Sequence, residues 1–201
     1  MGRRSVHTPE ELRELIIKAA TELIATTGFG SLSAREIARR IGYSAGTIYN
    51  VFRNLDDLIL TIEGRMLDEL ARSLDTIDPA TDPRQRVIQL AEAYLRFTHT
   101  NPRLWNLLFE HHLPDGMDVP ADYRDKLDGL LGRIEAALRP LHRGGDDAAL
   151  KRRARVLWSG VHGITSLSTA DKLSSITTDA ASALVKDLVT TYLDGMAADS
   201  D

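Results

Sequence analysis

Histidine and carboxylate residues stand together at Glu110, His111 and His112, with His99 and His162 elsewhere, and such residues can bind metal ions. Adjacent residues on a helix point about 100° apart, so this run cannot chelate one ion as an i,i+4 pair can. We therefore interpret the run as a surface cluster at a helix end and predict no metal site. The chain has no cysteine, which excludes disulfides, thiolate nucleophiles and Cys-ligated zinc. Since no nucleophile–base set is present either, we predict no catalytic residue, no cofactor and no enzyme.

The stretch from Ser33 to Leu58 has the spacing of a helix-turn-helix. Apolar residues fall on one face of a first helix, Ala34 to Ile41, and of a second helix, Ala45 to Phe52. Gly42 between them can take a positive φ, and Ala38 is small enough for the second helix to cross closely. In this motif the second helix enters the major groove of DNA. Two ordinary packed helices are the alternative interpretation of the same spacing.

Capping residues agree with these helix boundaries. Thr8 is expected to cap the first helix, and Ser33 with Glu36 has the pattern of a capping box for the second. Ser44 is a natural N-cap for the third helix, and Asn54 for the fourth.

The segment from Ser44 to Phe52, SAGTIYNVF, and the segment 54–58, NLDDL, resemble the DNA-binding domain of the TetR (tetracycline repressor) family. In that family a Gly-Thr-hydrophobic-Tyr-x-x-Phe string ends the recognition helix, and a polar cap with an acidic pair opens a long fourth helix. The resemblance covers roughly residues 11–70. The family often has His before the Phe, where this chain has Val51, and usually Lys after the cap of helix four, where this chain has Leu55. Both absent residues commonly contact phosphate.

The resemblance implies DNA-binding roles for eight residues of helices two and three. It implies phosphate contacts at the start of helix two, base-edge contacts along helix three and one further contact to the backbone. The phosphate residues would be Ser33 and Arg35, the base-facing residues Ala45, Gly46, Thr47 and Asn50, and the backbone residue Tyr49, with Ser44 at the helix start. The small side chains at the beginning of helix three leave room for close approach, and Ala45 could meet a thymine methyl group.

Charge is distributed unevenly along the 201 residues, whose net charge is −4. Up to Leu55 there are 8 Lys and Arg against 5 Asp and Glu, whereas the remainder has 17 against 24. A basic head on an acidic body suits DNA binding at one end only. The segment containing Arg3 and Arg4 is either an arm that reaches DNA or a solvated terminus. No apolar run approaches the ~20 residues that span a bilayer and no secretory signal opens the chain, so we expect a cytoplasmic protein.

Apolar periodicity predicts an all-α fold of about nine helices, without strands. Three helices form a DNA-binding domain, residues 1–54, and a fourth, residues 54–77, links the two halves. A regulatory and dimerisation domain, residues 78–201, follows a break rich in Pro and Asp. Its helices are expected at 83–100, from 102 to about 109, and at 120–138, 146–173 and 179–198.

The eighth and ninth helices each carry two apolar rows, and a helix apolar on two sides must be covered on two sides. One row can meet the rest of the subunit, while the other requires a partner. We therefore predict a homodimer built as a four-helix bundle, with Gly160, Gly163, Leu167, Leu184 and Leu188 near the seam. Two-fold pairing would place the recognition helices about 34–36 Å apart, or a multiple of that distance.

The segment from Trp158 to Gly163, WSGVHG, is similar to the Trp-x-x-x-His-Gly string of the WHG-type C-terminal domain in one branch of the TetR family. Trp158 and His162 share a helical face and either contact a ligand or belong to the core. More broadly, the aromatic residues of this half form either a ligand pocket with a few polar groups or a solid core. The candidate ligand-binding residues are Met66, Tyr94, Phe97, Trp105, Leu108, Phe109, Trp158, Val161, His162 and Thr165.

The helix-turn-helix predicts a sequence-specific DNA-binding transcriptional regulator. The resemblance implies a repressor that a small apolar or aromatic effector releases from its operator, with helix four as the route of movement. A DNA-binding regulator controlled by a protein partner is the main alternative, and an enzyme with an appended helix-turn-helix is another. The basic run at residues 151–155 is expected to be solvated or paired with acidic neighbours.

Overall fold

The structure, a computed structural model, describes residues 7–143 and 146–198, so the proposed arm at Arg3 and Arg4 lies outside the described residues. The described residues form nine α-helices and no strand, as the all-α prediction required. The helices are α1 (Pro9–Thr27), α2 (Ala34–Ile41), α3 (Ala45–Val51), α4 (Leu55–Leu74), α5 (Pro83–Thr100), α6 (Pro102–Glu110), α7 (Ala121–Leu138), α8 (Asp147–Thr169) and α9 (Ala181–Ala198).

Two compact units divide the chain. Unit 1 consists of Met1–Met66 and Arg103–Val119, and unit 2 of Leu67–Pro102 and Pro120–Asp201. Unit 1 therefore contains α1 to α3, the first part of α4 and nearly all of α6. The predicted domains had different bounds, and those bounds stay a prediction.

Unit 1 has a small apolar core beneath its helix-turn-helix. Ile37 of α2 and Ile48 of α3 are both buried, and Phe52 and Leu58 close the core after α3. The guanidinium of Arg13 lies over the Phe52 ring, 4.4 Å from its centroid, which adds a cation–π contact between α1 and the end of α3.

Three of the predicted helix boundaries have the expected physical cause. Thr8 forms a complete capping box with Glu11, and the amide of Asp57 donates to the Asn54 side chain over 2.8 Å. Gly42 takes φ 75° and ψ 28°, the left-handed conformation that a glycine adopts without strain, and so turns α2 into α3.

Two predicted caps differ from the observed ones. The Ser33 hydroxyl accepts from the amide of Glu36, but the Glu36 carboxylate binds Arg39 instead of closing the capping box. The Ser44 hydroxyl lies 3.0 Å from the Thr47 hydroxyl and forms no cap hydrogen bond with the backbone. In each case a nearby side chain offered a competing partner that helix periodicity does not reveal.

Unit 2 is a helical body in which α5, α7, α8 and α9 pack together. The inward row predicted for α8 is mostly buried, except that Trp158 is only partly buried; its buried members are Leu150, Ala154, Leu157, Val161 and Thr165. The inward row of α9 consists of Val185, Val189, Leu193 and Met196. The Tyr192 hydroxyl donates to the Arg153 carbonyl over 3.0 Å and so adds a polar tie between these two helices. Helix α8 ends at Thr169, earlier than predicted, because the chain turns at Asp171, whose φ is 55°.

No helix of the described chain is both long enough and apolar enough to cross a membrane.

Candidate DNA-binding surface

The residues predicted to bind DNA lie on an accessible face of unit 1. Five of them, Arg35, Ser44, Gly46, Tyr49 and Asn50, have exposed side chains or backbone, and Tyr49 is 52% exposed. The other three, Ser33, Ala45 and Thr47, are partly exposed. The structure thus brings all eight predicted residues onto α3 and the start of α2.

The position of α3 follows from its single buried residue. Ile48 is 1% exposed and anchors the helix, which leaves the flanking residues Thr47, Tyr49 and Asn50 to point away from the core. The turn before α3 is fixed by the Tyr43 amide, which donates to the Ala38 carbonyl over 2.9 Å. A short helix with one buried face therefore offers its other face to a partner.

Gly46 lies on the exposed face of α3, and the fold of the chain does not require a glycine there. A Cβ atom built there would meet only the Ser44 hydroxyl, at 3.8 Å, which is ordinary van der Waals distance. Its φ lies outside the positive range that favours glycine. Neither packing within the chain nor backbone conformation therefore requires a glycine at this position.

The cations around this surface are partly matched by acids of the same unit. Arg39 binds Glu36 and lowers the pKa of that carboxyl group, and Arg40 lies 3.4 Å from Glu22. The two positions that depart from the family pattern, Val51 and Leu55, are partly buried apolar residues and supply no phosphate contact.

Unit 1 also contains an ionic cluster that the sequence interpretation missed, formed by Asp56, Glu63 and His111. The imidazole Nδ1 of His111 lies 3.0 Å from Glu63 Oε1, and its Nε2 lies 3.1 Å from Asp56 Oδ1. The His111 and Glu63 side chains are only 4% and 3% exposed. The interpretation of residues 110–112 as a surface cluster is therefore wrong for His111.

Two carboxylates set the charge of this histidine. The hydrogen bond with Glu63 raises the pKa of His111, burial of the ring opposes that effect, and the hydrogen bond with Asp56 adds to the rise. The two nitrogen atoms point to different carboxylates, and the described residues hold no group of three or more His, Cys, Asp or Glu that could bind a metal ion. The sequence carried one signal for the cluster, since Glu63 interrupts the inward apolar row of α4 between Ile59 and Met66.

Comparison with known proteins agrees with this architecture. A family model described as bacterial regulatory proteins, tetR family, matches residues 16–62. A second, described as tetracyclin repressor-like, C-terminal domain, matches residues 87–192, which is more than half of the chain. The chain belongs to the TetR family. It is a DNA-binding transcriptional regulator, as the helix-turn-helix predicted.

Relatives of this TetR-family chain include other regulators. An uncharacterised HTH-type transcriptional regulator of Mycobacterium tuberculosis, Rv0681, is 26% identical over 178 residues, which cover 88% of this chain and 79% of that protein. A protein of unknown function from Rhodococcus sp. RHA1 has the same fold, with a TM-score of 0.76, 21% identity and coverage of 98% and 100% of the two chains. The TetR-family repressor FadR of Thermus thermophilus, solved in complex with lauroyl-CoA, has a TM-score of 0.66, 22% identity and coverage of 92% and 94%.

The ligand-binding residues predicted for this TetR-family chain are divided between the two units. Met66, Trp105, Leu108 and Phe109 belong to unit 1, and the other six belong to unit 2. Met66 and Trp105 are buried, whereas Phe109 is 44% exposed and is not a core residue. The assignment of these residues to a ligand site stays a prediction.

Three of the ligand candidates in unit 2 form a compact polar and aromatic group. The Tyr94 hydroxyl lies 2.8 Å from Nδ1 of His162, and the Trp158 ring stacks on the imidazole at 5.2 Å with an interplanar angle of 8°. Burial lowers the pKa of His162, so its imidazole is neutral at pH 7. The Trp-x-x-x-His spacing thus positions a stacked pair on one face of α8. The C-terminal family match includes this string without naming the WHG type, and the WHG assignment stays a prediction.

The residues predicted for the dimer seam divide between exposed or partly exposed positions and the contact of α8 with α9 inside the subunit. Gly163 and Leu167 are exposed, and Leu184 and Leu188 are partly exposed. Gly160 has an internal explanation, because a Cβ there would lie 2.9 Å from the Leu188 side chain. The small residue at 160 therefore lets α9 pack closely on α8 within one subunit.

The basic run of α8 is a solvated surface, as predicted. It lines an open groove of about 510 Å³ whose walls are Ala148, Lys151, Arg152, Arg155, Val156 and Ser159. Arg155 also lies 3.8 Å from Glu135 of α7.

Proposed function

We propose that this TetR-family regulator is a repressor that binds its operator as a homodimer through the exposed face of α3 and leaves it when a small apolar effector binds unit 2. The observation that carries the DNA-binding part of the proposal is Gly46, a glycine that the fold does not require on the outermost face of the recognition helix. A missing side chain at such a position allows the helix backbone to approach a base edge closely.

Contacts to DNA divide into two chemical types on this surface. Arg35 stands exposed at the start of α2, where a cation and the helix N-terminus both favour a phosphate. Thr47 and Asn50 carry the hydroxyl and amide groups that read base edges, and Asn can bind adenine with two hydrogen bonds. Tyr49 lies beside them and is suited to the backbone.

The homodimer part rests on the outer faces of α8 and α9. Gly163 is exposed, and a Cβ there would meet nothing within 4 Å inside the subunit, so the chain itself does not require its small size. A partner helix crossing at Gly163 and Leu167 would give that glycine a function. Such a two-fold pair would present two copies of α3 to successive half-sites of the operator.

The effector part rests on the group formed by Tyr94, Trp158 and His162. A neutral imidazole held by a phenol and stacked on an indole supplies a polar anchor among apolar residues, which is the usual composition of a ligand site. Because FadR of Thermus thermophilus shares the fold and was solved with lauroyl-CoA, fatty acyl compounds are the first class of effector to test. If a protein partner controlled the regulator instead, this group would be part of the hydrophobic core without a ligand. We propose no enzymatic activity.

Affinity selection of genomic fragments on the purified protein, followed by sequencing, tests the proposal. We expect a small set of fragments sharing a two-fold symmetric site, bound by a species that light scattering identifies as a dimer. Acyl compounds should raise the melting temperature and release the selected fragment. If no sequence were enriched above the input pool, the proposed function would be contradicted. If a co-purified protein and no compound released the DNA fragment, control by a protein partner would be favoured.

A further inference from the structure

The buried cluster of Asp56, Glu63 and His111 ties α6 to α4 inside unit 1. Asp56 lies in the first turn of α4, only five residues after α3 ends at Val51. Glu63 lies about two turns further along α4, and His111 directly follows α6. One imidazole therefore holds the end of α6 against the segment of α4 that follows the recognition helix.

The opposite end of α6 is held to α1 in the same unit. The Arg103 guanidinium donates to the Thr26 carbonyl and, over 3.4 Å, to the Ala25 carbonyl in the last turn of α1. A cation at a helix C-terminus satisfies carbonyls that lack partners within the helix. With both ends of α6 fixed, a change at His111 acts on the start of α4 rather than on a loose end of α6.

The proton on His111 decides whether both of its contacts can exist. A protonated imidazole has two N–H groups and donates to both carboxylates, whereas a neutral imidazole has one N–H and can donate to only one. Glu63 is 3% exposed and cannot exchange its hydrogen bond for water, whereas Asp56 is 24% exposed and can. Loss of the proton therefore releases Asp56 and keeps Glu63.

We propose that the Asp56–His111–Glu63 cluster is a proton-dependent tie between α6 and the start of α4, so that deprotonation of His111 weakens operator binding. The inference rests on the proposed binding of an operator through α3. Release of Asp56 removes one of the contacts that fix the first turn of α4, which the Asn54 cap then holds with fewer partners, and the cost of ordering that turn on DNA opposes binding.

The charged groups that act on the pKa of the imidazole are these two carboxylates, Glu63 and Asp56. The segment after α1 contributes the Phe29 ring, whose centroid lies 6.0 Å from that of His111 and which carries no charge. Along the chain, Glu110 and His112 are exposed neighbours, and Nδ1 of His112 lies 2.9 Å from the Glu110 carbonyl oxygen. His112 is therefore a matched control, because it is the adjacent histidine without a contact to α4.

The test measures affinity for a selected operator fragment by fluorescence anisotropy from pH 6 to pH 9 at constant ionic strength. Wild type, His111→Gln and His112→Gln are compared. Each variant lacks one histidine and keeps every other titrating group of wild type. We expect wild type and His112→Gln to lose the same amount of operator affinity as pH rises. The loss for His111→Gln should be smaller than that of wild type by a factor of about five or more. The same profile for all three proteins would overturn the proposal.

A second measurement uses wild type alone and does not depend on the folding of a variant. NMR titration of the His111 ring, with and without operator DNA, should give a higher pKa in the complex, by about 0.7 for a fivefold coupling. Equal pKa values in the two states would overturn the tie while leaving operator binding intact. Failure of wild type to bind any selected fragment at any pH would overturn the proposed function and the tie together.

Discussion

Replacement of Gly46 should separate folding from operator binding. Because a Cβ at this position meets only the Ser44 hydroxyl at 3.8 Å, Gly46→Ala introduces no clash and removes the backbone freedom of a helical glycine. Alanine stabilises a helix interior over glycine by about 0.5–1 kcal/mol, and position 46 lies in the first turn, so we expect about 0.5 kcal/mol. Gly46→Val adds two further carbon atoms beyond the Cβ at this exposed position.

The same change should weaken binding to the operator. If the α3 backbone approaches a base edge closely, extra carbon atoms at the contact should weaken binding by about 1–3 kcal/mol. Inserting carbon atoms into a well-packed protein core costs a similar amount. A dimer carries the substitution in both half-sites, which gives about 2–6 kcal/mol, or a loss of roughly 30-fold to more than 10,000-fold. Gly46→Val is expected at the upper end of this range and Gly46→Ala at the lower.

Urea unfolding followed by circular dichroism measures the first effect, and fluorescence anisotropy with a labelled operator measures the second. Gly132→Ala is the control, because Gly132 lies in α7, where a Cβ meets nothing within 4 Å, and belongs to unit 2. It should stabilise the protein to a similar degree without changing operator affinity. The reasoning would be refuted if Gly46→Val bound the operator as tightly as wild type did.

Four further predictions use the same assays. Asn50→Ala should weaken operator binding by about 1–3 kcal/mol and relax the preference at one base. Arg35→Ala should weaken binding to all DNA sequences alike and flatten the salt dependence of affinity, which anisotropy across a salt series measures. His162→Ala should change the response to acyl compounds while effector-free operator binding stays near wild type. The stabilising effect of His111 should be full below pH 6.5 and be lost as pH rises through its raised folded-state pKa, so the free energies of unfolding of wild type and His111→Gln should converge at high pH. Gly163→Val should yield a folded monomer by light scattering at micromolar concentration.

The recognition domain was predictable from sequence because its determinants are local. Gly42 supplies the left-handed turn, Thr8 and Asn54 supply caps, and Ile48 anchors α3, and each acts within a few residues of the position it specifies. Apolar periodicity likewise agrees with most of the buried positions of α4 and α8, such as Leu58, Ile62 and Leu157. The two failed caps, at Ser44 and Glu36, failed because a neighbouring polar side chain was the better partner.

The His111 cluster could not be predicted because its partners lie 48 and 55 residues away. Helix geometry argues against a chelate between adjacent histidines, but it says nothing about whether one of them is buried. The useful signal was Glu63 in the inward row of α4, since a carboxylate is rarely buried without a partner. Composition likewise does not reveal that the aromatic residues Phe109 and Trp158 belong to different compact units.

The glycines on helices of this chain distinguish two kinds of constraint that a sequence alone does not separate. Gly160 is explained within the subunit, because a Cβ there would lie 2.9 Å from Leu188. Gly46 and Gly163 have no such explanation, although a helical glycine is unfavourable by about 0.5–1 kcal/mol relative to alanine. Gly132 and Gly195 also meet nothing within 4 Å, so an open Cβ position alone does not assign a partner. Gly46 and Gly163 differ from them in lying on the faces that the proposed function assigns to a partner, α3 to DNA and α8 to a second subunit. Alanine at Gly46 and Gly163 should therefore raise stability while weakening one interaction each, whereas alanine at Gly160 must displace the Leu188 side chain and should raise stability less than either.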